Sequence, residues 1–267
     1  VELIETGPAL LDLDDQGVGH LRLNRPEASN GMDVPFLRAL YDAVMVATGQ
    51  AGLRALLISG EGPNFCAGGD VKTFAGKGEG LPDYLREATA WLQNVAAGLL
   101  GLPVPVVAAV HGFAAGGGGL GLVCAADIVI AAESAKFMSG AARVGMAPDA
   151  GSSVTLPQLV GLRKAMEILL LNPTLSAAEA LEIGLITRVV PDGSLREEAL
   201  AVARTLAAGA PRALGATKRL VWSGLGNRVE AQLPEEARTV SELSGTADSR
   251  EGLAAVLERR VPRFTGR

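Results

Sequence analysis

Two kinds of group in this chain could do chemistry by type and spacing: a carboxylate in an apolar turn, and backbone amides freed by glycine. The carboxylate is Asp149, in Met146-Ala147-Pro148-Asp149-Ala150-Gly151 ahead of Ser152-Ser153. Two roles are open to it. As an Asp just before a helix it would accept backbone N–H bonds as an N-cap, which favours the ionised form and lowers the pKa from about 3.9. In an apolar pocket, burial would raise the pKa toward that of a useful general base. The amides belong to Gly116-Gly117-Gly118-Gly119, shortly after the unbroken apolar run Val106 to Val110. Such a run fits a strand buried on both faces, and the apolar Leu120, Leu122, Val123 and Cys124 that follow fit a short buried helix. A glycine turn between them leaves unpaired N–H groups at the positive end of a helix dipole. It is either a tight packing corner or a receptor for negative charge. GxxxxGK[ST] is absent, and so is GxGxxG with an acidic residue at ribose distance. The charge that suits this turn is one that develops during a reaction, such as an enolate.

Other polar residues read as structural. Asp70 follows the glycine turn Gly68-Gly69 and caps or braces it. His111 ends a buried strand, and Glu61 and Glu79 lie in glycine-rich solvated segments. Phe74 and Trp91 are candidates for an acyl pocket or for plain core packing. With His20 and His111 the only histidines, a histidine-rich metal site is not available. Cys66 and Cys124, the only cysteines, sit in apolar contexts and read as buried free thiols.

At 267 residues and 48% hydrophobic composition the chain can bury a full core. Its net charge of −5 argues against a nucleic-acid partner, which requires clustered positive charge. Every long apolar run is broken by Gly, Pro or charge, so no membrane span is expected. The expected setting is cytoplasmic.

The elements that must position these groups follow from periodicity. Residues 9 to 23 alternate about an Asp-Gln-Gly turn, as a hairpin does. Helical spacing starts near Asp33 through Val34, Leu37, Leu40, Tyr41 and Val44. Arg54 to Ser59 reads as a buried strand, Gly76 to Gly80 as a mobile loop, and Tyr84 to Leu100 as a helix stopped by Pro103 and Pro105. Further strands are expected at 127–131 and 135–138, and a helix at Ser152 to Val160. From Leu162 onward nearly everything reads as helix, with Ser176 and Ser194 as N-caps and Pro173, Pro191, Pro211 and Pro234 as boundaries. The class is α/β up to residue 190, with a helical C-terminal part from 191 to 267.

Phe65-Cys66-Ala67-Gly68-Gly69-Asp70-Val71 and Val110-His111-Gly112-Phe113-Ala114-Ala115-Gly116-Gly117-Gly118 resemble the two oxyanion segments of the crotonase family, the enoyl-CoA hydratase/isomerase superfamily. Asp127 to Ala131, Ala178 to Leu185 and the closing segment to Arg267 are similar as well. The resemblance implies a spiral of ββα repeats with a helical C-terminal trimerisation region, assembled as a homotrimer or a dimer of trimers. It implies an acyl-CoA substrate whose thioester carbonyl is held by two backbone N–H groups, with coenzyme A entering only as part of that substrate and no other cofactor.

Carried over by position, the donors are Gly69 and the middle of the glycine run. Between His111 and Asp127 the chain has one residue more than the family's spacing. Counting from His111 selects Gly117, and counting back from Asp127 selects Gly118, which is preferred. The resemblance places substrate contacts at Ala28, Ala67, Asp70, Val71, Gly117, Ala141 and Val144. The basic pair that many relatives carry is replaced here by Ala28 and Ser29. The two glutamates of hydratases would fall at Leu120 or Gly121 and at Ala141, none of which ionises. Asp149 matches the single carboxylate of isomerases with a Pro-Asp/Glu-x-Gly site. The expectation is therefore an enoyl-CoA isomerase with Asp149, Gly69 and Gly118 as its catalytic groups. Hydratase and hydrolytic dehalogenase are the alternatives within the family, although the dehalogenase branch has a histidine where Gln93 stands. A catalytically inactive CoA- or RNA-binding scaffold is the alternative outside it.

Overall fold

A computed structural model describes residues 1–267. Its ten strands are β1 Glu2–Ile4, β2 Ala9–Leu13, β3 Val18–Leu23, β4 Ala55–Gly60, β5 Val106–Val110, β6 Phe113–Ala115, β7 Ile128–Ala132, β8 Lys136–Met138, β9 Leu175–Ser176 and β10 Arg188–Val190. Seven form one sheet in the order β1-β2-β3-β4-β5-β7-β10, and β6-β8-β9 form a second. The hairpin of β2 and β3 is antiparallel with Ala9 opposite Leu23, while β3, β4, β5, β7 and β10 run parallel. Successive strand pairs, β5 with β6 and β7 with β8, send one strand to each sheet and then a helix, which is the ββα spiral expected.

Alternation sorts the large sheet's side chains. Leu21, Leu56, Ile58, Val106, Ala108 and Val129 pack with the helices Val34–Thr48 and Leu81–Gly101. Val18, Leu57, Val107, Ala109 and Ile130 pack with Leu195, Ala199 and Ala203 of the helix Leu195–Ala207. With a helix layer on each face, the central strands must be apolar throughout, and every residue of β5 is buried. Asp33 caps the helix Val34–Thr48 by accepting from the Phe36 N–H at 2.9 Å.

Several expectations are corrected. Gly76 to Gly80 is not irregular throughout: after the short helix Val71–Ala75, Gly76 and Lys77 form a turn that leads into a helical turn at Gly78–Gly80. The stretch after Leu162 is not all helix: β9 and β10, two and three residues long, are too short to show a period of two. Ser176 caps its helix with Glu179 in a reciprocal capping box, whereas the Ser194 side chain makes no cap. Pro234 lies inside the helix Val229–Ser244, where its ring removes one backbone bond without ending the helix. Leu195–Ala207 covers the large sheet and belongs to the core, so the peripheral helices begin with Pro211–Gly224.

Candidate active site

The two glycine segments are zipped together by backbone bonds. The Cys66 N–H donates to the Phe113 carbonyl at 3.0 Å, and the Ala115 N–H donates to the Cys66 carbonyl at 2.9 Å. On its other side the first segment is held by Ala67 N–H to Ser29 O (3.0 Å), Met32 N–H to Gly68 O (2.8 Å) and Asp70 N–H to Met32 O (3.0 Å). The Gly69 N–H between these bonds has no acceptor in the protein. Gly68 has φ +97° and Gly116 φ +61°, and a Cβ on Gly116 would stand 3.2 Å from Gly68 Cα, so the close approach requires glycine at both.

After β6 the chain enters a π-helical turn, Gly117–Gly121, and then the short helix Leu122–Ala125. A π-turn holds one residue more than an α-turn. N–H groups in the first turn have no partner inside the helix, and that turn contains both Gly117 and Gly118. Their Cα atoms face different neighbours. A Cβ on Gly118 would meet Met32 Sδ at 2.8 Å and Cys66 Sγ at 3.0 Å, whereas one on Gly117 would fall on the Asp149 carboxylate.

Gly69, Gly117, Gly118 and Asp149 line one cavity of about 570 Å3, with Ala67, Val71, Phe74, Ala141 and Val144 on the same wall. Leu37, Leu81, Leu85, Ala88 and Leu92 supply an apolar side, and Val71 and Val144 stand exposed. The charged residues on the wall are Asp149 and Arg143, whose Nη2 donates to the Asn172 carbonyl at 2.9 Å.

Asp149 is half-buried and its side chain caps nothing. The helix Ser152–Val160 has Gly151 at its N-cap position, and Asp149 meets that helix only through its backbone carbonyl. Burial pushes the Asp149 carboxyl above its ordinary value, opposed only by its own backbone N–H. Of the two roles open in the sequence, the capping one is absent.

Two residues of the expected set, Ala28 and Asp70, stand apart from the cavity. Ala28 lies in the turn Pro26–Ala28, on the loop whose Ser29 carbonyl holds Ala67. Asp70 accepts from the Thr73 N–H at 3.1 Å and pairs with Arg25 at 2.9 Å. Burial would raise its carboxyl, but the bonds from Thr73 and Arg25 hold it below the usual carboxylate range. It braces the turn. Leu120 is buried in the core, a Cβ on Gly121 would come within 2.6 Å of Ala150 Cβ, and neither residue lines the cavity. Trp91 packs on Tyr41 and Arg38, and Gln93 is exposed off the cavity wall. His111 Nε2 lies 2.8 Å from the Gly62 carbonyl.

Sequence reasoning missed the buttress. Asn30 is fully buried, and its amide nitrogen donates to the carbonyls of Glu61, Asn64 and Phe65 while its oxygen accepts from the Arg25 N–H. Arg25 pairs with Asp33 and Asp70 and donates to the Gly31 carbonyl. The one signal was Asn30-Gly31, a pair that tolerates left-handed backbone; Asn30 has φ +54°. Cys66, its thiol pushed up to about 12 by burial, packs under this buttress as a neutral group.

The cavity thus combines an apolar wall, one raised carboxylate and the amides of a glycine turn, groups that can receive an apolar chain and a developing negative charge. The comparisons agree. The pattern of the family described as enoyl-CoA hydratase/isomerase matches residues 14–267. A protein of Rhodobacter capsulatus named probable enoyl-CoA hydratase is 41% identical, covering 94% of this chain and 96% of its own. The 1,2-epoxyphenylacetyl-CoA isomerase of Escherichia coli is 38% identical, covering 95% and 97%. The crystal structure of an enoyl-CoA hydratase from Bacillus anthracis superimposes with a TM-score of 0.92 at 32% identity, covering 98% of this chain and 100% of that one. This chain belongs to the enoyl-CoA hydratase/isomerase family and has its crotonase-type fold.

Proposed function

We propose that this protein is an enoyl-CoA isomerase that moves a carbon–carbon double bond along an acyl thioester. The observation that carries this reading is that Asp149 is the one carboxylate on the cavity wall, where burial raises it toward a working base. The Asp149 carboxylate removes a proton from C2 of a 3-enoyl thioester, and the bonding electrons move onto the carbonyl oxygen as a dienolate. The N–H groups of Gly69 and Gly118 hold that oxygen. Asp149 then returns the proton to C4 as the electrons move back, leaving the 2-enoyl product. No net proton or electron is exchanged, so one base suffices and no cofactor beyond the substrate's own coenzyme A is needed.

Ala141 supports the same reading, since it occupies the wall where a hydratase of the family would place a second carboxylate. The E. coli relative is itself named an isomerase of an acyl-CoA. Hydration is the second reading, favoured by the names of the R. capsulatus protein and the B. anthracis structure. It would require Asp149 alone to activate water. The assembly we infer is a homotrimer or a dimer of trimers, built through the C-terminal helices that expose Val229, Leu233 and Val240. No helix is long and apolar enough to cross a membrane. The test is turnover of 3-enoyl-CoA against hydration of 2-enoyl-CoA by the purified protein.

A further inference from the structure

Within the glycine run, only Gly117 faces a carboxylate. A Cβ on Gly118 meets two sulfur atoms, one on Gly119 meets the backbone of Cys66 and Ala114, and one on Gly121 meets Ala150. At Gly117 the space a side chain would take is filled by the Asp149 carboxylate: a Cβ there would clash with Oδ1 and lie 2.6 Å from Cγ and 3.0 Å from Oδ2. The φ of Gly117 is outside the left-handed region, so its backbone would accept alanine and the conflict is with Asp149 alone. The carboxylate accepts no hydrogen bond from another residue.

We propose that Gly117 is a positioning residue, the seat of the Asp149 carboxylate, which sets where the base meets the substrate relative to the amides of the same turn. The proposal rests on Asp149 as the base. It gives Gly117 a role separate from that of an oxyanion donor. An alanine keeps the backbone N–H, so a donor would survive the change, whereas a seat would be filled. Filling it pushes the carboxylate away from the π-helical turn and off the reacting carbon. Displacement on the order of an ångström is enough to cost about a hundred-fold.

The test is a double-mutant cycle on the full chain with Gly117→Ala, Asp149→Ala and both together. Isomerase kcat is measured alongside the calorimetric affinity for a saturated acyl-CoA that cannot react. Gly117→Ala is expected to lower kcat by about a hundred-fold or more while its affinity for the saturated thioester stays within about three-fold, which also shows that the fold is intact. The double variant is expected to match Asp149→Ala within about two-fold, because a seat has no value once its occupant is gone. A kcat for Gly117→Ala within about five-fold of wild type would overturn the seat while leaving Asp149 as base. So would a double variant more than about ten-fold slower than Asp149→Ala, since Gly117 would then act independently of the carboxylate. Near-normal turnover by Asp149→Ala would overturn both this inference and the isomerase reading.

Discussion

Ser152 donates to the backbone carbonyl of Asp149 twice, through its N–H at 3.0 Å and its hydroxyl at 2.7 Å, so helix and loop are joined without using the Asp149 carboxylate. The same sequence context that suggests a cap thus yields a free acid aimed at a cavity. Asp149→Asn keeps the shape and cannot take a proton. It is expected to lower isomerase turnover by between about a hundred- and ten-thousand-fold while saturated acyl-CoA still binds. Turnover within a few-fold of wild type would remove Asp149 from the mechanism.

The stability of the same variant depends on pH in a stated direction. Burial raises the Asp149 carboxyl, so the folded protein holds that proton more tightly than the unfolded chain. The stability contributed by the neutral acid is full below the unfolded pKa and is lost as pH rises through the folded one. At pH 7 the ionised carboxylate therefore costs stability. Asp149→Asn should melt at the wild-type temperature or above it near neutrality, with any gain disappearing below the unfolded pKa of about 4. A melting point several degrees lower at pH 7 would restore the capping role. In wild type, the acid limb of kcat/KM should lie above the ordinary carboxylate range.

At Gly118 a valine would press on Met32 Sδ and Cys66 Sγ, both buried beneath the turn. The valine keeps the N–H, but this pressure shifts the turn and takes the donor out of line; loss of one aligned donor costs roughly 3–4 kcal/mol of transition-state stabilisation, so Gly118→Val should depress turnover by a few hundred-fold or more. Spacing alone predicts a smaller loss at Gly117 than at Gly118. The contact with Asp149 removes that distinction, because Gly117→Val evicts the base. A Gly118→Val enzyme that is folded by circular dichroism and retains wild-type kcat would exclude Gly118 as a donor.

Arg25 holds Asp70 and Asp33 at once and is mostly shielded, with 23% of its side chain exposed. Replacing it by Met leaves the Asp70 carboxylate, itself 11% exposed, without its cation. Removing one hydrogen-bonded charge of this kind costs about 1.5–3 kcal/mol. Arg25→Met should lower the urea midpoint accordingly and reduce kcat through the Gly69 segment. An unchanged midpoint would show that Thr73 alone secures Asp70.

Long apolar runs, capped helices and the hairpin were legible because burial imposes periods that composition reveals: Val106 to Val110 has no polar alternation and is covered on both sides. The two glycine segments and Asp149 were legible as a set because their neighbours are so restricted. That Leu120 and Gly121 lie off the cavity wall was not legible, because they sit in a π-helical turn, whose side-chain directions no regular period gives. The buttress of Asn30 and Arg25 was not legible, since the carbonyls of Glu61, Asn64 and Phe65 and the Asp70 carboxylate reach them from segments distant in sequence. Periodicity carries no trace of such convergence.

The central claim is that a single base, Asp149, does the chemistry without a partner carboxylate. Following a 3-enoyl-CoA and a 2-enoyl-CoA side by side with the unmodified protein tests it most directly. The account predicts rapid conversion of the 3-enoyl thioester to the 2-enoyl isomer, and hydration of the 2-enoyl thioester slower by orders of magnitude. Robust hydration with little isomerisation would contradict it.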